Sequence, residues 1–245
     1  MKAEDIKIIA TGSSGNATFI TPYKTLLDCG VSKKDLGEEV FKNVSLVLLT
    51  HCHSDHFGKR TIKALGSQRP SVRFGCGDFL VPLLLECGIR PQQIDVYEPH
   101  KEYRYGDLLL ETVTLTHNVP NIGYKLYFER EKQSLIYATD TNNLNGISAK
   151  NFDYYLIEAN YTVDDIHDRI KKKEMEGAYA YEYAVTHNHL SAEKANDWLA
   201  DNAGANSMIY YMHEHREKTD AYEHTGQMYH MAESANTDGK ARCKE

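Results

Sequence analysis

One short segment of the chain is dense in metal-ligating side chains. Residues 50–56 read Thr-His-Cys-His-Ser-Asp-His and directly follow an apolar run. Imidazole nitrogens and a carboxylate oxygen are the ligands expected of a catalytic zinc site. Because alternate side chains at a strand end point the same way, we expect His51 and His53 to bind one cation. Asp55 and His56, interpreted as the start of a helix, are expected to face a second cation.

Three residues further along the chain stand where a predicted strand gives way to a polar loop. They are His117, Asp140 and His213. Alone, a histidine or aspartate at a strand end is more typical of a surface residue than of a ligand. Beside the dense segment 51–56, the three indicate that several loops meet at one edge of a sheet core. His215 is an alternative to His213, which we favour because it lies nearer the end of its strand.

His189 has a different setting, just before Ser191, the predicted N-cap of a helix. A histidine there suits a general acid or a contact to a substrate phosphate near the helix N-terminus. The alternative is a surface histidine in the capping region. Cys52, between two expected ligands, is predicted to point away from them and to pack. The remaining histidines are interpreted as surface residues, namely His100, His167, His187, His224 and His230.

The elements that must position these side chains follow from the apolar pattern. Leu46–Leu49 is a continuous apolar run, typical of a strand buried on both faces. Further strands are predicted at Ile6–Ala10, Ala17–Ile20, Thr25–Asp28, Val72–Phe74, Leu108–Leu110, Val113–Leu115, Tyr124–Phe128, Leu135–Ala138, Tyr154–Ile157 and, as the last one, Met208–Met212. Helices are predicted from near Asp55 to Leu65 and over Phe79–Cys87, Thr162–Met175 and Ser191–Asn202. This alternation predicts an α/β (α+β) fold in which helices cover a sheet sandwich.

The composition narrows the class of protein. The net charge of −7 gives no sign of the basic face that nucleic-acid-binding domains usually carry, and the one basic run, Arg169 to Lys173, is interpreted as a solvated helix face. Five irregularly spaced cysteines without a CxxC motif argue against a disulfide framework and favour a reducing, cytoplasmic location. Neither a signal peptide nor an apolar run of about 20 residues is visible, so we expect no membrane association.

The chain is predicted to form one domain over residues 1–232. The remaining segment, residues 233–245, is polar and rich in small residues, and we expect it to be a flexible tail.

These residues resemble the metallo-β-lactamase superfamily. The match is the HxHxDH motif of residues 51–56, followed by a histidine, an aspartate and a histidine in the order and type of the superfamily's later motifs. Within the superfamily the chain is similar to the WalJ/YycJ-type proteins and to the ribonuclease Z-like phosphodiesterases. The segments that carry this similarity are Gly12-Ser13-Ser14-Gly15-Asn16, Leu27-Asp28-Cys29-Gly30, Glu158-Ala159-Asn160 and His189-Leu190-Ser191.

The resemblance implies an αββα sandwich of two mixed sheets flanked by helices. It also implies two divalent cations, expected to be zinc, although manganese or iron would suit such nitrogen and oxygen ligands. One cation would be bound by His51, His53 and His117, the other by Asp55, His56 and His213, and Asp140 would bridge them. A similar histidine of ribonuclease Z donates a proton to the leaving group, and this role carries over to His189.

The predicted activity is hydrolysis of a phosphodiester in a nucleotide or nucleic-acid end. A hydroxide held between two cations would attack phosphorus in line, with Asp55 orienting it and His189 protonating the leaving oxygen. A cyclic nucleotide, a small phosphodiester and a nucleic-acid end are all compatible substrates. The same fold could instead hydrolyse a lactone, a thioester or a lactam, or serve as a non-catalytic, metal-stabilised nucleotide-binding module. Assembly into a homodimer is left open.

Overall fold

Two mixed β-sheets form the centre of the molecule. A computed structural model describes residues 1–213 and the backbone of 228–230. The first sheet consists, in spatial order, of β1 (Ile6–Ala10), β2 (Ala17–Ile20), β3 (Thr25–Leu27), β4 (Leu46–Leu48), β5 (Arg73–Gly77) and β6 (Ile94–Tyr97). The second consists of β7 (Glu102–Tyr105), β8 (Leu108–Leu115), β9 (Asn121–Phe128), β10 (Gln133–Ala138), β11 (Tyr154–Glu158), β12 (Met208–Met212) and β13 (Met228–His230).

Helices cover the outer face of each sheet. They are α1 (Lys33–Leu36), α2 (Glu38–Asn43), α3 (Lys59–Gln68), α4 (Val81–Glu86), α5 (Val163–Met175), α6 (Glu182–Asn188) and α7 (Ala192–Asn202). Buried side chains of α1 to α4 share one core cluster with the first sheet, and those of α7 share another with the second sheet. A third cluster fills the space between the sheets. The four layers confirm the predicted αββα sandwich.

The apolar run in β4 shows how the sequence specifies these layers. Leu46 and Leu48 point into the core between the sheets, whereas Val47 points into the core beneath the helices. All three are buried, which confirms the prediction of a strand covered on both faces. Burial of each such side chain contributes roughly 1.5–3 kcal/mol, so β4 is a rigid base for the loop that follows it.

Parallel pairing brings several strand ends to one edge of the sandwich. In the first sheet, β3 and β4 run parallel, so Asp28 lies beside the chain that leaves β4. In the second sheet, β10, β11 and β12 run parallel, so the residues that follow them emerge side by side. The loop at 51–56 and the ends of β10, β11 and β12 therefore lie at the same edge.

Residues 162–188, which we call the α5–α6 lobe, form an excursion from the second sheet. The chain leaves at Tyr161 and returns at Ser191, and these two residues pair through a short β-bridge. The lobe has a small core cluster of its own, separate from the larger ones, made of Tyr161, Ile166 and Ile170 with Val185 packed against them.

Several boundaries differ from the sequence predictions. The helix expected from near Asp55 begins only at Lys59, because Phe57 and Gly58 pair with Cys29 and interrupt the turn that starts at His53. Met208–Met212 is not the last strand, since Met228–His230 pairs with it. The two strands expected within 108–115 form one continuous strand. Helices α1, α2 and α6 and strands β6 and β7 were not among the predicted elements, because their short, polar-flanked segments carry little periodicity.

No helix among the described residues is long and apolar enough to cross a membrane. The four cysteines within the described residues are all free thiols, and three of them are buried. The tail predicted at 233–245 lies outside the described residues, and the domain boundary at 232 stays a prediction.

Candidate metal centre

The structure brings all seven predicted ligands together at the edge described above. They fall into two clusters that share Asp140. In the first cluster, three ring nitrogens converge. His53 Nδ1 lies 3.1 Å from His51 Nε2 and 3.3 Å from His117 Nε2. Asp140 Oδ2 closes this cluster at 3.1 Å from His51 Nε2 and 3.9 Å from His117 Nε2.

The second cluster lies on the other side of Asp140. His56 Nε2 is 3.1 Å from Asp140 Oδ2 and 3.6 Å from Asp55 Oδ2. His213 Nε2 also lies 3.6 Å from Asp55 Oδ2. Asp55 and His56 thus belong to the second cluster, as the sequence predicted, although they sit in a turn and not at the start of a helix. His215, the alternative to His213, lies outside the described residues.

Hydrogen bonds at the far nitrogens orient two of these rings. Asp28 Oδ2 lies 2.7 Å from His56 Nδ1, and the carbonyl oxygen of Asn188 lies 3.0 Å from His117 Nδ1. Each oxygen accepts a hydrogen bond from Nδ1, so Nε2 is the nitrogen that would bind a cation, in His56 after the loss of its proton. Asp28 is itself fixed by bonds from the amide of Thr50 and the hydroxyl of Tyr137, both at 2.9 Å.

The backbone at three of these strand ends adopts a left-handed conformation. Asp28, Asp140 and His213 have φ angles of 57°, 55° and 57°. Non-glycine residues rarely adopt positive φ, and such positions cost free energy that the surrounding structure must offset. The turn made at each position directs a polar side chain from a buried strand towards the shared edge.

Two histidines of the first cluster, His53 and His117, are neutral near pH 7. Burial lowers the pKa of His117 to about 4. Burial and the neighbouring His51 also lower the pKa of His53. Neutral imidazoles offer lone pairs, so this cluster is prepared for a cation without prior loss of protons.

The second cluster attracts positive charge. Burial alone would lower the pKa of His56, but Asp140 and Asp28 raise it to about 10. Burial would also lower the pKa of His213, but Asp140 raises it. Burial would raise the pKa of Asp140, yet His56 and His213 hold it well below its ordinary range. Opposite charges within about 4–6 Å stabilise the charged forms, which explains these shifts.

The donor set and its spacing fit two divalent cations. Ligands at about 2.0–2.1 Å in a tetrahedral site lie roughly 3.3 Å from one another, which matches the 3.1–3.6 Å between most neighbouring ligand atoms here. His213 Nε2 is buried and has no hydrogen-bond partner, although it faces Asp55. A buried polar atom without a partner is costly, and a cation shared with Asp55 would satisfy it. The roles of the seven residues as ligands stay predictions.

His189 lies beside the two clusters and is held by a buried carboxylate. Its Nδ1 is 2.6 Å from Glu158 Oε1, and its ring centre lies 5.4 Å from that of His117 and 5.1 Å from that of His213. The other oxygen of Glu158 accepts from the amides of Thr141 at 2.8 Å and Leu190 at 3.3 Å. Since Nδ1 is engaged, Nε2 is the nitrogen of His189 that remains available to a substrate.

The carboxylate of Glu158 is fully buried at the centre of this network. Burial would raise its pKa, but hydrogen bonds from His189 and His213 hold it below its ordinary range. His213 Nδ1 lies 3.2 Å from Glu158 Oε1 and 3.0 Å from Asp140 Oδ1. Glu158 therefore links the second cluster to His189.

Four further residues of the site lie in the segments that carry the family resemblance, but the sequence predicted no role for them. Asp28 orients His56, and Glu158 orients His189. Asn160 donates to the carbonyl oxygen of His213 at 2.8 Å. Asn16 Nδ2 lies 2.7 Å from His56 Nε2 and borders the second cluster. Asp28, Glu158 and Asn160 stand at or just beyond a strand end, which is the signal that singled out Asp140.

Two other predictions concern residues between and around the ligands. Cys52 was expected to pack, but it is exposed, because the loop turns outward between His51 and His53. His100, His167 and His187 are exposed, as predicted. The side chains of His224 and His230 lie outside the described residues.

Comparison with known families agrees with this geometry. A family model described as the beta-lactamase superfamily domain matches residues 24–213. The chain belongs to this superfamily. The matched range contains all seven residues of the two clusters as well as Glu158 and His189. It therefore covers the whole candidate centre, and the fold is the metallo-β-lactamase fold.

One curated relative of this superfamily member is ribonuclease Z from Clostridium novyi (strain NT). It is 26% identical over 133 residues, which is 44% of this chain and 42% of that protein. The chain thus spans less than half the length of the curated relative that it matches.

Three solved structures of other proteins share the fold. The metallo-β-lactamase fold protein YhfI from Bacillus subtilis has a TM-score of 0.65 at 16% identity, over 86% of this chain and 87% of that one. The short form of human tRNase Z has a TM-score of 0.63 at 12% identity, over 86% of this chain and 92% of that one. A diphosphatase of the PhnP family has a TM-score of 0.62 at 13% identity, over 91% of this chain and 95% of that one. At these identities the likeness is one of fold alone.

Proposed function

We propose that this protein is a dinuclear metal-dependent phosphodiesterase that acts on a nucleotide or a nucleic-acid end. The observation that carries the proposal is the His189–Glu158 pair beside two ligand clusters that share Asp140. A proton donor next to a two-cation centre suits a reaction in which an alkoxide leaves phosphorus. The similarity to ribonuclease Z supports a phosphodiester substrate.

Divalent cations bound by the seven ligands would supply an activated water and stabilise negative charge on the phosphoryl oxygens. Zinc is the metal we propose, because the donors are imidazole nitrogens and carboxylate oxygens. His51, His53 and His117 would hold one cation, and Asp55, His56 and His213 the other, with Asp140 between them.

Asp55 is suited to orient the attacking water. Burial would raise its pKa, but the neighbouring His213 and His56 lower it, so its carboxylate stays ionised at neutral pH. Its side chain is 19% exposed, more than that of Asp140 or His56, so an oxygen of Asp55 can face a bound substrate. An ionised carboxylate at this position accepts a hydrogen bond from the nucleophile.

His189 would hold the proton for the leaving oxygen at Nε2. Glu158 accepts from Nδ1 at 2.6 Å, which fixes the orientation of the ring before the proton is transferred. Its side chain is 18% exposed, so the ring can be reached from the solvent side of the centre.

The test uses the metal-loaded protein with bis(p-nitrophenyl) phosphate, a lactone and a thioester. We expect hydrolysis of the phosphodiester and little of the other two. Turnover confined to the lactone or the thioester would contradict the proposal, as would bound metal without any hydrolysis.

The role of His189 is tested with a series of phosphodiesters whose leaving groups differ in pKa. We expect His189→Ala to retain its metal and to lose about 10²–10⁴-fold in kcat for alkyl leaving groups. The loss should be much smaller for nitrophenolate, which needs no proton. An equal loss on every leaving group would contradict proton donation by His189.

A further inference from the structure

A segment with only positive charges follows directly on the loop that carries the ligands. Residues 56–77 contain five lysines and arginines and no aspartate or glutamate, although the whole chain has a net charge of −7. Two of the five are engaged within the protein, since Arg69 donates to a backbone carbonyl oxygen and Arg73 pairs with a carboxylate. The other three are exposed on α3, namely Lys59, Arg60 and Lys63.

These three side chains share one face of α3, and we call them the α3 cationic stripe. Lys59 and Lys63 are four residues apart, and Arg60 and Lys63 are three apart, so both pairs are neighbours on the helix surface. At about 3.6 residues per turn, the three directions span only about 100° around the helix axis. The buried side chains of α3 occupy another part of its circumference, namely Thr61, Ile62 and Leu65.

The stripe keeps an excess of positive charge. None of its three side chains forms an ion pair or a hydrogen bond with another described residue. Burial raises the pKa of the Cys87 thiol, Lys59 and Lys63 counteract this rise, and Glu86 adds to it. Glu86 is therefore an acid in the same region, and three cations against one carboxylate leave two positive charges. The carboxylate of Asp55 faces the second ligand cluster instead.

The stability of α3 does not explain these charges. The stripe occupies the N-terminal half of the helix, and the first turn contains no acidic residue. The N-terminal end of a helix carries partial positive charge, so acidic side chains stabilise it and basic ones destabilise it. Three exposed cations at this end are thus unfavourable for the helix itself, and an anionic ligand would offset them.

The stripe begins beside the metal centre. Lys59 follows His56 by three residues, and neighbouring Cα atoms are about 3.8 Å apart, so the two Cα atoms lie at most about 11 Å from each other. The pairing of Phe57 with Cys29 fixes the chain between them. From Lys59 to Lys63 the helix rises about 6 Å along its axis. A polyanion bound at the metal centre can therefore continue along the stripe.

We propose that the α3 cationic stripe binds the phosphate backbone of a nucleic acid next to the phosphodiester that is cleaved. Contacts from lysine and arginine to phosphates supply the sequence-independent part of nucleic-acid binding. This inference rests on the proposed phosphodiesterase function. It narrows the substrate to a nucleic acid with further phosphates beside the cleaved bond, in place of a cyclic nucleotide or a small phosphodiester.

A nucleic-acid backbone suits the stripe better than a protein partner does. A second copy of the chain, with its net charge of −7, would also be attracted to positive charge. Position decides between the two, because the stripe adjoins the loop at which a phosphodiester substrate would bind. Phosphates on either side of the cleaved bond are then held close to the stripe by the substrate itself.

The test measures the binding of labelled oligonucleotides to the metal-loaded protein by fluorescence anisotropy at several salt concentrations. Single-stranded and duplex forms carry phosphorothioate linkages, which slow cleavage. In Lys59→Ala/Arg60→Ala/Lys63→Ala we expect the slope of log Kd against log salt concentration to fall by about 0.7 per lost contact for a single strand, or about 2 in all. Between about 50 and 200 mM salt, the wild type should then lose about 20-fold more affinity than this variant. Alanine favours helix, so α3 should stay folded.

The matched control is Lys2→Ala/Lys132→Ala/Lys150→Ala, which removes the same charge from three exposed positions. These lysines precede β1, β10 and β11 and thus lie at the edge of the sandwich opposite the metal centre. We expect the control to bind oligonucleotides as the wild type does. An equal loss of binding in both variants would show that overall charge governs binding, and it would overturn the proposal.

Hydrolysis of bis(p-nitrophenyl) phosphate by the wild type separates failure of this inference from failure of the proposed function. If the wild type cleaves this ester but the α3 variant binds oligonucleotides with unchanged affinity and salt dependence, the stripe proposal is wrong and the proposed function stands. A wild-type dimer that dissociates in the α3 variant, with oligonucleotide binding unaffected, would identify the stripe as a self-interface and also overturn the proposal.

Failure of the proposed function gives a different result. In that case the wild type cleaves neither bis(p-nitrophenyl) phosphate nor an unmodified oligonucleotide, and the stripe is judged by binding alone. A reduced salt slope in the α3 variant but not in the control supports the stripe as a nucleic-acid surface. Unchanged binding in the α3 variant, or no binding by the wild type, overturns it.

Discussion

Asp140 is the residue on which both ligand clusters depend. Its Oδ2 lies 3.1 Å from His51 Nε2 and from His56 Nε2, one in each cluster. We expect Asp140→Asn to lower kcat by more than the 10–100-fold that is typical of changes outside the ligand set, and to reduce the bound metal from two ions per chain. Asparagine tolerates the positive φ of this position, so the fold should be retained.

The measurement is metal content by mass spectrometry together with kcat on bis(p-nitrophenyl) phosphate. His53→Ala, which removes a ligand of one cluster only, is the matched comparison. Two full equivalents of metal and normal turnover in Asp140→Asn would exclude a bridging role.

Glu158 acts through His189, so we regard it as a positioning residue. In Glu158→Gln the Nδ1 proton of His189 loses its anionic acceptor, and we expect kcat on alkyl phosphodiesters to fall about 10–100-fold. The fall should be much smaller for a nitrophenolate leaving group, which needs no proton. A merely structural role for Glu158 would lower the rate equally for every leaving group, and Glu98→Gln, an exposed change far from the centre, should not alter the rate.

At the scale of elements, the loop 51–56 is held by its contact with the end of β3. A Cβ built on Gly30 would lie 1.6 Å from the carbonyl oxygen of Asp55 and 2.7 Å from the amide nitrogen of His56. Both are backbone atoms, so neither can rotate away. We expect Gly30→Ala to displace the ligand loop, to weaken metal binding and to lower the unfolding midpoint.

The control is Gly37→Ala, where no atom lies within 4 Å but φ is +81°. That change carries only the backbone strain, on the order of 1 kcal/mol, and should leave metal affinity unchanged. Equal effects of the two substitutions would mean that the loop is not held by close contact at Gly30.

Much of this arrangement of elements was predictable from the chain. The buried run of β4 and the polar residues after β8, β10 and β12 indicated the layers and the shared edge. The helix start was mispredicted because the pairing of Phe57 with Cys29 is a long-range contact, which local propensity does not contain. The partners Asp28 and Glu158 received no role for the same reason, since their contacts with His56 and His189 span 28 and 31 residues.

For the whole molecule, the metal-free and metal-loaded forms should respond to pH in different ways. In the metal-free protein the pKa of His56 is raised to about 10, and that of His213 is also raised. A raised pKa stabilises the folded state below the unfolded value of about 6.5, and this contribution is lost as pH rises towards 10. The lowered pKa values of His53 and His117 affect the stability of the folded state only below about pH 6.5.

We therefore expect the urea midpoint of the metal-free protein to fall between about pH 6.5 and 10. Bound cations take the place of the protons on His56 and His213, so the loaded protein should lack this decline and bind metal more tightly as pH rises. Urea titrations with and without chelator measure both effects. A metal-free midpoint that rises over this range would contradict the assignment of charge to the second cluster.

The order of the ligands along the chain has a consequence for biosynthesis. A ribosome releases His51, His53, His117 and Asp140 well before residue 213, so the first cluster can assemble while the second still lacks a member. A nascent or prematurely terminated polypeptide that stops before β12 would carry one half-centre without its neighbour. The proposed hydrolytic activity would thus appear late in translation, only after His213 has been synthesised.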